Sequence, residues 1–402
     1  VNSAQETFWN VNPKEPPHSL ETLDIVAELS KENQALKAQL HNVGLEFINA
    51  RDQIRAYERE KLIGLSDEAR AYRERLALVL LPKLFNILDP LDRISIVEGG
   101  SREMELDPRW RSFPPDRLLF YCFECDPHES DRLSAHDFGD QIERRFYAAG
   151  LWGTSGRLVF EHNNTPGASS FLRLNRKITD RWKFENNTQA VPAPNMCYPT
   201  SQQELDVINF SDWATFTGVT SIDFMKLNIQ GGEFDVLRSA GPVGDTFLGL
   251  LVEVAFVESY IDRPMFSDLD VLLRERGYVF FDLIAHHYIG RALSPVAAQH
   301  LAVVDPKFGT QVSAWGQLIE GHALYLRDPI FHDDLQMAPD RVIKLAILSE
   351  AFGQIEYAFE LIVWLRDRSD VRGTILHSQL EALLIEAKTQ YDNFSKLKHD
   401  FS

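Results

Sequence analysis

The spacing of apolar positions separates the chain into segments of different structural type. Residues 1–17 are rich in proline and asparagine and show no period, which predicts an arm or linker. Residues 91–330 alternate apolar runs of strand length with helical segments, and residues 331–402 show a helical period. The pattern therefore predicts a central α/β domain with helical segments on either side.

A spacing of three and four residues follows Ser19, a residue that can cap a helix. If Val26 takes heptad position a, the d positions are apolar and Asn33 is a polar a residue. A buried Asn pairs with its twin in a parallel two-stranded coil, so we expect a homodimer through a coiled-coil helix over residues 18–62. The alternative is a long amphipathic helix that packs on its own domain. A second helix over residues 63–90 connects this segment to the central domain.

Seven nearly continuous apolar runs predict the strands of the central domain. They lie at 93–100, 117–126, 144–150, 222–230, 247–256, 278–283 and 322–328, with an additional strand at 157–162. Such strands, separated by helices, are typical of a parallel sheet that is buried on both faces. The last two runs are close together and fit an antiparallel edge of the sheet. Residues 286–318 are interpreted as an insertion, and residues 331–402 as a helical hairpin or small bundle.

Charge and cysteine content narrow the possible functions. The chain has 59 acidic and 41 basic residues, and its net charge of −18 disfavours nucleic acid and anionic membrane surfaces as partners. Cys122 and Cys125 have CxxC spacing, but no second pair completes a zinc site, so we expect reduced thiols and no metal. The lack of an 18-residue apolar run and of a leader pattern favours a cytoplasmic protein without a membrane span.

Small and acidic residues follow the first two predicted strands. These candidate cofactor-binding residues are Glu98, Gly99, Gly100, Ser101, Glu124 and Asp126. A Gly-Gly turn brings the backbone close to a ligand, and an acid after the second strand is where doubly wound folds bind ribose hydroxyls. Either acid alone could be a solvated strand end. Together they predict a ligand that contains a nucleoside.

The segment IDFMKLNIQGGEFDVLRSAG, residues 222–241, resembles the signature of FkbM-type methyltransferases, V-D-x-x-K-x-D-x-E-G-x-E followed by V-L-x-G. The residues that match are Lys226, Gly231, Glu233, Val236 and Leu237. Other stretches similar to that family are FECDPHESDRL, YAAGLWGTSGRLVFEHNNTPGASSFL, LLVEVAF, DVLLRERGYVFFDL and HALYLRD. The resemblance covers residues 93–328.

The resemblance implies a Rossmann-like class I methyltransferase sheet, S-adenosylmethionine as the cofactor, and methyl transfer to a hydroxyl group. It places Glu98 and Gly100 near the methionine end of the cofactor, Glu124 on the ribose, Leu151 and Trp152 beside the adenine, and Ser170 after the additional strand. Ser170, Gln230 and His286 are the candidate substrate residues, and Lys226, Asn228 and Glu253 are the candidate catalytic residues.

Two carboxylates of the family signature are replaced here by the amides Asn228 and Gln230. An amide keeps the shape of a carboxylate and can still form hydrogen bonds, but it loses the charge and the basicity. We therefore expect Asn228 to align the acceptor or the cofactor, and Glu253, which falls on the acid of the family's L-x-E-V strand, to be the leading general base. Gln230 could instead only shape the turn, and Glu233 could only cap the next helix.

The resemblance therefore leads us to expect an S-adenosylmethionine-dependent O-methyltransferase that acts on a small-molecule or glycan acceptor, with a sugar hydroxyl as the expected target. The alternative is a degenerate methyltransferase-fold scaffold or a cofactor-binding protein without catalysis, which Met104, Asn228 and Gln230 motivate. A nicotinamide-dependent oxidoreductase is a weaker option, because the glycine pattern after the first strand is broken.

Overall fold

The computed structural model describes residues 80–102, 106–186, 189–192, 198–291, 302–304, 311–313, 317–332 and 336–399. The predicted arm over 1–17 and the predicted coiled coil over 18–62 lie outside the described residues, so homodimerisation through that coil stays a prediction. Of the predicted connecting helix over 63–90, the described part contains one helix, Leu81–Ile87.

The described residues form fourteen strands. Their bounds are β1 Ile94–Gly99, β2 Leu118–Phe123, β3 Glu143–Tyr147, β4 Gly150–Trp152, β5 Gly156–Asn163, β6 Trp182–Asn186, β7 Gln189–Pro192, β8 Pro199–Asn209, β9 Phe224–Leu227, β10 Gly249–Ala255, β11 Tyr278–Arg291, β12 Ala302–Val304, β13 Gln311–Ser313 and β14 Gln317–Arg327. Nine of them form a central sheet in the order β3-β2-β1-β9-β10-β14-β11-β6-β7.

One half of the central sheet, from β3 to β10, is parallel. β3, β2, β1, β9 and β10 are parallel neighbours, and β14 runs antiparallel between β10 and β11. β6 and β7 extend the sheet with antiparallel pairs beyond β11. The predicted mixed α/β fold with a mainly parallel sheet is therefore confirmed, and this order agrees with the Rossmann-like expectation.

Ten helices occur in the described residues. They are α1 Leu81–Ile87, α2 Pro127–Ser134, α3 Arg176–Thr179, α4 Phe210–Thr217, α5 Glu233–Arg238, α6 Gly241–Gly244, α7 Phe266–Glu275, α8 Pro339–Ala351, α9 Ile355–Asp367 and α10 Ile375–His399. Three short 3₁₀ helices lie at Pro108–Ser112, Pro115–Arg117 and Pro166–Ala168.

Several predicted boundaries were wrong. The expected strand over 144–150 is two strands, since β3 ends at Tyr147 and Gly150 begins β4 in a separate three-stranded sheet of order β4-β8-β5. A side chain at Gly150 would meet the ring of Phe171 at 2.7 Å, so a larger residue at this turn into the second sheet would force that ring to move. β11 and β14 also extend into the predicted insertion over 286–318, which contains the β12-β13 pair as well.

Successive residues in each strand point to opposite faces of the sheet, so each face presents apolar side chains. Helices pack against both faces. Ile96 and Phe224 belong to a core that α1, α8, α9 and α10 complete, whereas Val97 and Met225 belong to a core that includes residues of α4, α5 and α7. The helices predicted over 331–402 thus cover one face of the sheet and share its core.

Asp223, the acid just before β9, ties α8 to the sheet. It is 2% exposed, and its carboxylate accepts hydrogen bonds from the backbone and hydroxyl groups of Ser95 at 2.9 and 3.0 Å. Arg341 and Lys344 of α8 both pair with the same carboxylate, Lys344 at 3.5 Å. A buried carboxylate of this kind is stable only because both cations and the strand donors surround it.

We expect Asp223→Ala to lower the free energy of unfolding by about 3–5 kcal/mol, because it leaves two cations without their buried partner. The measurement is urea unfolding of the full chain, followed by circular dichroism. Asp370→Ala is the matched control, since Asp370 pairs with Arg368 at a side chain that is 51% exposed, and it should have little effect on stability. Equal losses in the two variants would contradict a special role for Asp223.

Candidate active site

The turn between β9 and α5 is held in a conformation that few residues adopt. Gln230 has a φ of 59° and Gly231 a φ of 115°, which is uncommon for any residue with a side chain. The carboxylate of Glu233, the first residue of α5, accepts hydrogen bonds from the backbone N–H groups of Ile229 at 2.8 Å and Gly231 at 2.9 Å. Ser170 donates to the carbonyl oxygen of Gln230 at 2.7 Å. The turn is therefore fixed before any ligand binds.

The loop after β1 lies directly against this turn. The N–H of Asn228 donates to the carbonyl oxygen of Gly99 at 3.1 Å, and a Cβ at Gly100 would meet the carbonyl oxygen of Asn228 at 2.1 Å. Gly100 also has a φ of 81°, so glycine is required there for space and for conformation. The predicted Gly-Gly signal thus marks the close approach of two strand ends.

A cavity of about 280 Å³ opens at the carboxyl ends of β1, β2 and β9. Its lining residues are Gly100, Arg102, Phe123, Glu124, Cys125, Gly150, Leu151, Phe160, Pro166, Gly167, Ser169, Phe171, Lys226, Asn228, Ile229 and Gln230. In open α/β sheets, ligands bind at this edge of the sheet. The structure therefore brings together six of the predicted site residues, Gly100, Glu124, Leu151, Lys226, Asn228 and Gln230, around one cavity.

Glu124 is the buried acid of this cavity, with 4% of the residue exposed. Its Oε1 accepts hydrogen bonds from the N–H of Asp126 at 3.0 Å and from the thiol of Cys125 at 3.7 Å. Within the described ranges, no hydrogen bond reaches Oε2. Burial raises the pKa of this carboxyl group above its usual range. A ligand that supplies hydroxyl donors to Oε2 would relieve this cost.

Other predicted cofactor residues have structural partners. Asp126 caps α2 by accepting hydrogen bonds from the N–H groups of His128 and Glu129. Glu98 pairs with Lys226 across β1 and β9 at 2.7 Å, and the hydroxyl of Ser101 donates to the carbonyl oxygen of Glu98 at 2.8 Å.

The remaining predicted residues lie around the turn or farther along the sheet. The ring of Trp152 packs over Gly232, where a Cβ would meet it at 2.4 Å. Of the two residues predicted to flank the adenine, Leu151 lines the cavity and Trp152 does not. Ser170 holds the backbone of Gln230. His286 lies in β11, where its backbone pairs with Gly321 of β14.

A network of side chains connects the two amides to Glu253. The side-chain nitrogen of Gln230 donates to Oδ1 of Asn228 at 2.9 Å and to Oε1 of Glu253 at 3.0 Å. The hydroxyl of Tyr260 lies 3.0 Å from the amide oxygen of Gln230. Gln230 therefore does more than shape the turn, since its amide joins Asn228 to a buried acid.

Glu253 is itself paired with Arg263, and both side chains are at most 3% exposed. Nη2 of Arg263 donates to Oε2 of Glu253 at 2.6 Å, while Nη1 donates to the hydroxyl of Ser259 at 3.2 Å. Both oxygens of Glu253 are thus engaged, and Glu253 stands behind Gln230, outside the cavity lining.

Arg263 and Tyr260 were not identified from the sequence. The one sequence signal that points to them is their place in the loop after β10. Tyr260 lies seven residues after Glu253, and Arg263 lies ten residues after it. The aromatic residues Phe160 and Phe171 were also missed, because their positions depend on the β4-β8-β5 sheet. In the described part of the chain, no cluster of three or more His, Cys, Asp or Glu residues suits a metal ion. None of the described helices has the length and apolar character needed to span a membrane.

Part of the chain is similar to known methyltransferases. Residues 139–280 match the family model of the methyltransferase FkbM domain, which confirms the resemblance. The matched range contains the Asn228 turn and Glu253, whereas Glu98 and Glu124 precede it.

A curated relative, the 2-O-methyltransferase NoeI of Sinorhizobium fredii (strain NBRC 101917 / NGR234), is 24% identical over 217 residues. The alignment covers 52% of this chain and 86% of that protein. No solved structure gives a significant match.

The buried acids of the site predict a pH dependence of stability. Burial, and then the charge of Glu253, raise the pKa of Glu233 from 4.5 to about 7. The folded state therefore binds a proton more tightly than the unfolded state, and stability falls as the pH rises from about 4.5 to about 7.

Glu233→Gln should flatten this decline, by at most about 1.4 kcal/mol per pH unit for a single group. Urea unfolding at several pH values between 4.5 and 7.5 measures the slope. Some slope should remain, because burial and the charge of Glu253 also raise the pKa of Glu320. Glu275→Gln, at an exposed position of α7, should keep the native slope. A native slope in Glu233→Gln would contradict the assignment.

Proposed function

We propose that this chain is an S-adenosylmethionine-dependent O-methyltransferase that acts on a hydroxyl group of a sugar or glycan. The FkbM domain at residues 139–280 and the similarity to a 2-O-methyltransferase support the reaction class. The observation that carries the proposal is Glu124, a buried acid at the end of β2 that lines a cavity with an apolar wall.

The residues of the cavity fit this cofactor. Oε2 of Glu124 is available for ribose hydroxyls, and charge-assisted hydrogen bonds to a carboxylate are among the strong ones in proteins. Leu151, Phe160, Phe171 and Ile229 provide apolar surface for a planar base. When bound, the cofactor supplies an electrophilic methyl group on a sulfonium ion.

The chain contributes mainly position to such a transfer. In-line displacement needs the acceptor oxygen and the methyl group to be aligned, and misplacement by about 1 Å can cost on the order of 100-fold in rate. Asn228 and Gln230 suit this role, because the Glu233 carboxylate and the Ser170 hydroxyl fix the turn that carries them. Glu253 acts through Gln230, to which its carboxylate is bonded.

Transfer of a tritiated methyl group from S-adenosylmethionine to a panel of sugar and glycan acceptors tests the activity. Calorimetric titration with S-adenosylhomocysteine tests the cofactor site separately. We expect binding of the nucleoside product and labelling of at least one acceptor. Absence of binding would overturn the enzyme proposal and favour a scaffold.

Glu124→Ala should weaken S-adenosylhomocysteine binding about 10- to 100-fold, because the ribose hydroxyls lose a charged acceptor. Calorimetry measures the dissociation constant. Glu360→Ala, on the exposed side of α9, is the control and should stay within about twofold of the native protein. Unchanged affinity in Glu124→Ala would remove Glu124 from the ligand site.

A further inference from the structure

Asn228 presents a hydrogen-bond donor at the cavity wall. Its Oδ1 accepts the hydrogen bond from Gln230, so its Nδ2 is directed elsewhere. Among the residues that the structure describes, none accepts a hydrogen bond from this nitrogen, and Asn228 lines the cavity. A carboxylate at the same position, as in the family signature, could only accept. The change from acid to amide therefore reverses the polarity that this position offers to a ligand.

The direction of this amide is fixed by charge. Arg263 carries a permanent positive charge and is bonded to Glu253, and an ionised carboxylate can only accept hydrogen bonds. The amide of Gln230 must therefore turn its nitrogen toward Glu253, and its oxygen then lies beside the hydroxyl of Tyr260. The second hydrogen of that nitrogen goes to Oδ1 of Asn228. The sequence of contacts Arg263–Glu253–Gln230–Asn228 leaves one orientation for the last amide.

The surroundings of Asn228 specify the charge of its partner. Lys226, two residues before Asn228, also lines the cavity, and its ammonium group is paired with Glu98 at 2.7 Å. Among the residues that the structure describes, Arg102 is the other cation of the lining and Glu124 is its one anion. With two cations and one anion among the described lining residues, an amide donor on this wall is suited to an oxygen that carries negative charge.

We propose that Asn228 donates a hydrogen bond to a carboxylate of the bound ligand, and that Glu253, acting through Gln230, is the positioning residue that orients this donor. The inference rests on the proposed function, because that function supplies the ligands. Two sources of the carboxylate share this chemistry. One is the amino-acid part of the cofactor, and the other is an acceptor that carries a carboxylate, such as a uronic acid.

Asn228→Asp is the decisive variant, since it keeps the shape and removes the donor. Calorimetry with S-adenosylhomocysteine and with 5′-deoxy-5′-methylthioadenosine, which lacks the amino-acid part, separates the two ends of the cofactor. If the carboxylate is that of the cofactor, the variant should bind S-adenosylhomocysteine about 10- to 100-fold more weakly and the shorter nucleoside within about twofold of the native protein. Asn228→Ala, which adds no charge, should show the same selectivity and serves if the first variant does not fold.

A second titration examines the acceptor. Methyl glucuronide and methyl glucoside are titrated into the complex with S-adenosylhomocysteine. If the carboxylate is that of the acceptor, Asn228→Asp should leave the cofactor titrations unchanged and weaken the glucuronide alone, again about 10- to 100-fold.

The pH profile gives a readout that a merely structural role would not change. A protonated carboxyl group can donate a hydrogen bond, so the loss of affinity in Asn228→Asp should shrink as the pH is lowered through the pKa of the new acid. Asn86→Asp introduces the same charge at an exposed position of α1 and should match the native protein at every pH.

A double-mutant cycle tests the positioning role of Gln230. Gln230→Met removes the donor that orients Asn228 without adding a charge, so it should weaken carboxylate binding in the native background. The same change should have little further effect in the Asn228→Asp background, because the two residues act through one hydrogen bond to the ligand. Additive losses would show that Gln230 acts independently of Asn228 and would overturn that part of the inference.

The outcomes separate the inference from the proposed function. If neither nucleoside binds the native protein, the proposed function fails and the inference fails with it. If both nucleosides bind, and Asn228→Asp shows native or tighter affinity for S-adenosylhomocysteine with no loss of glucuronide binding, the inference alone is overturned. Tighter binding would mean that position 228 faces the ammonium group of the cofactor.

Discussion

The buried ion pair between Glu253 and Arg263 is the constraint on which the site depends. Both side chains are excluded from water, and removal of either partner would leave an uncompensated charge in the core. Both oxygens of Glu253 accept hydrogen bonds, one from Arg263 and one from Gln230. That property sets the orientation of Gln230, and Gln230 sets the orientation of Asn228. The ion pair of Glu253 and Arg263, which lies outside the cavity lining, thus determines which hydrogen-bonding group Asn228 presents to the cavity.

The backbone of the same turn is fixed by a different set of contacts. Glu233 satisfies the N–H groups of Ile229 and Gly231, and Ser170 reaches across from the segment after β5. Because Gln230 has a positive φ of 59°, which costs energy in a residue with a side chain, these contacts are needed to maintain it. Local backbone strain that surrounding contacts maintain is common at ligand sites.

Much of the fold could be predicted because burial on both faces leaves a simple signal. The runs at β1, β2, β9 and β10 are nearly continuous in apolar residues, and each was found close to its predicted place. The β4-β8-β5 sheet was not expected as a unit, since β8 is mostly exposed and polar and has no clear alternation. Its strands meet through long-range pairing, which a local pattern does not contain.

The site residues that could be predicted from the sequence are those that directly follow a parallel strand. Glu124 and Asn228 follow parallel strands, and the carboxyl ends of such strands meet at one edge, so their shared cavity follows from the sequence. Arg263 could not be found in this way, because it lies in an irregular loop whose path depends on tertiary contacts. Without Arg263, Glu253 looks like a free acid, which is why the sequence favoured it as a base.

The amides at 228 and 230 are consistent with the charge around them. Glu233, Glu253 and Glu320 already crowd this region, and burial raises the pKa of Glu233 and of Glu320. Carboxylates at both amide positions would add two negative charges beside Glu253, with Arg263 as the cation that the described contacts provide there. Like charges at such distances in a buried site oppose ionisation of one another. An amide at position 230 instead donates to Glu253, so the substitution turns a repulsive contact into a hydrogen bond and passes a defined orientation to Asn228.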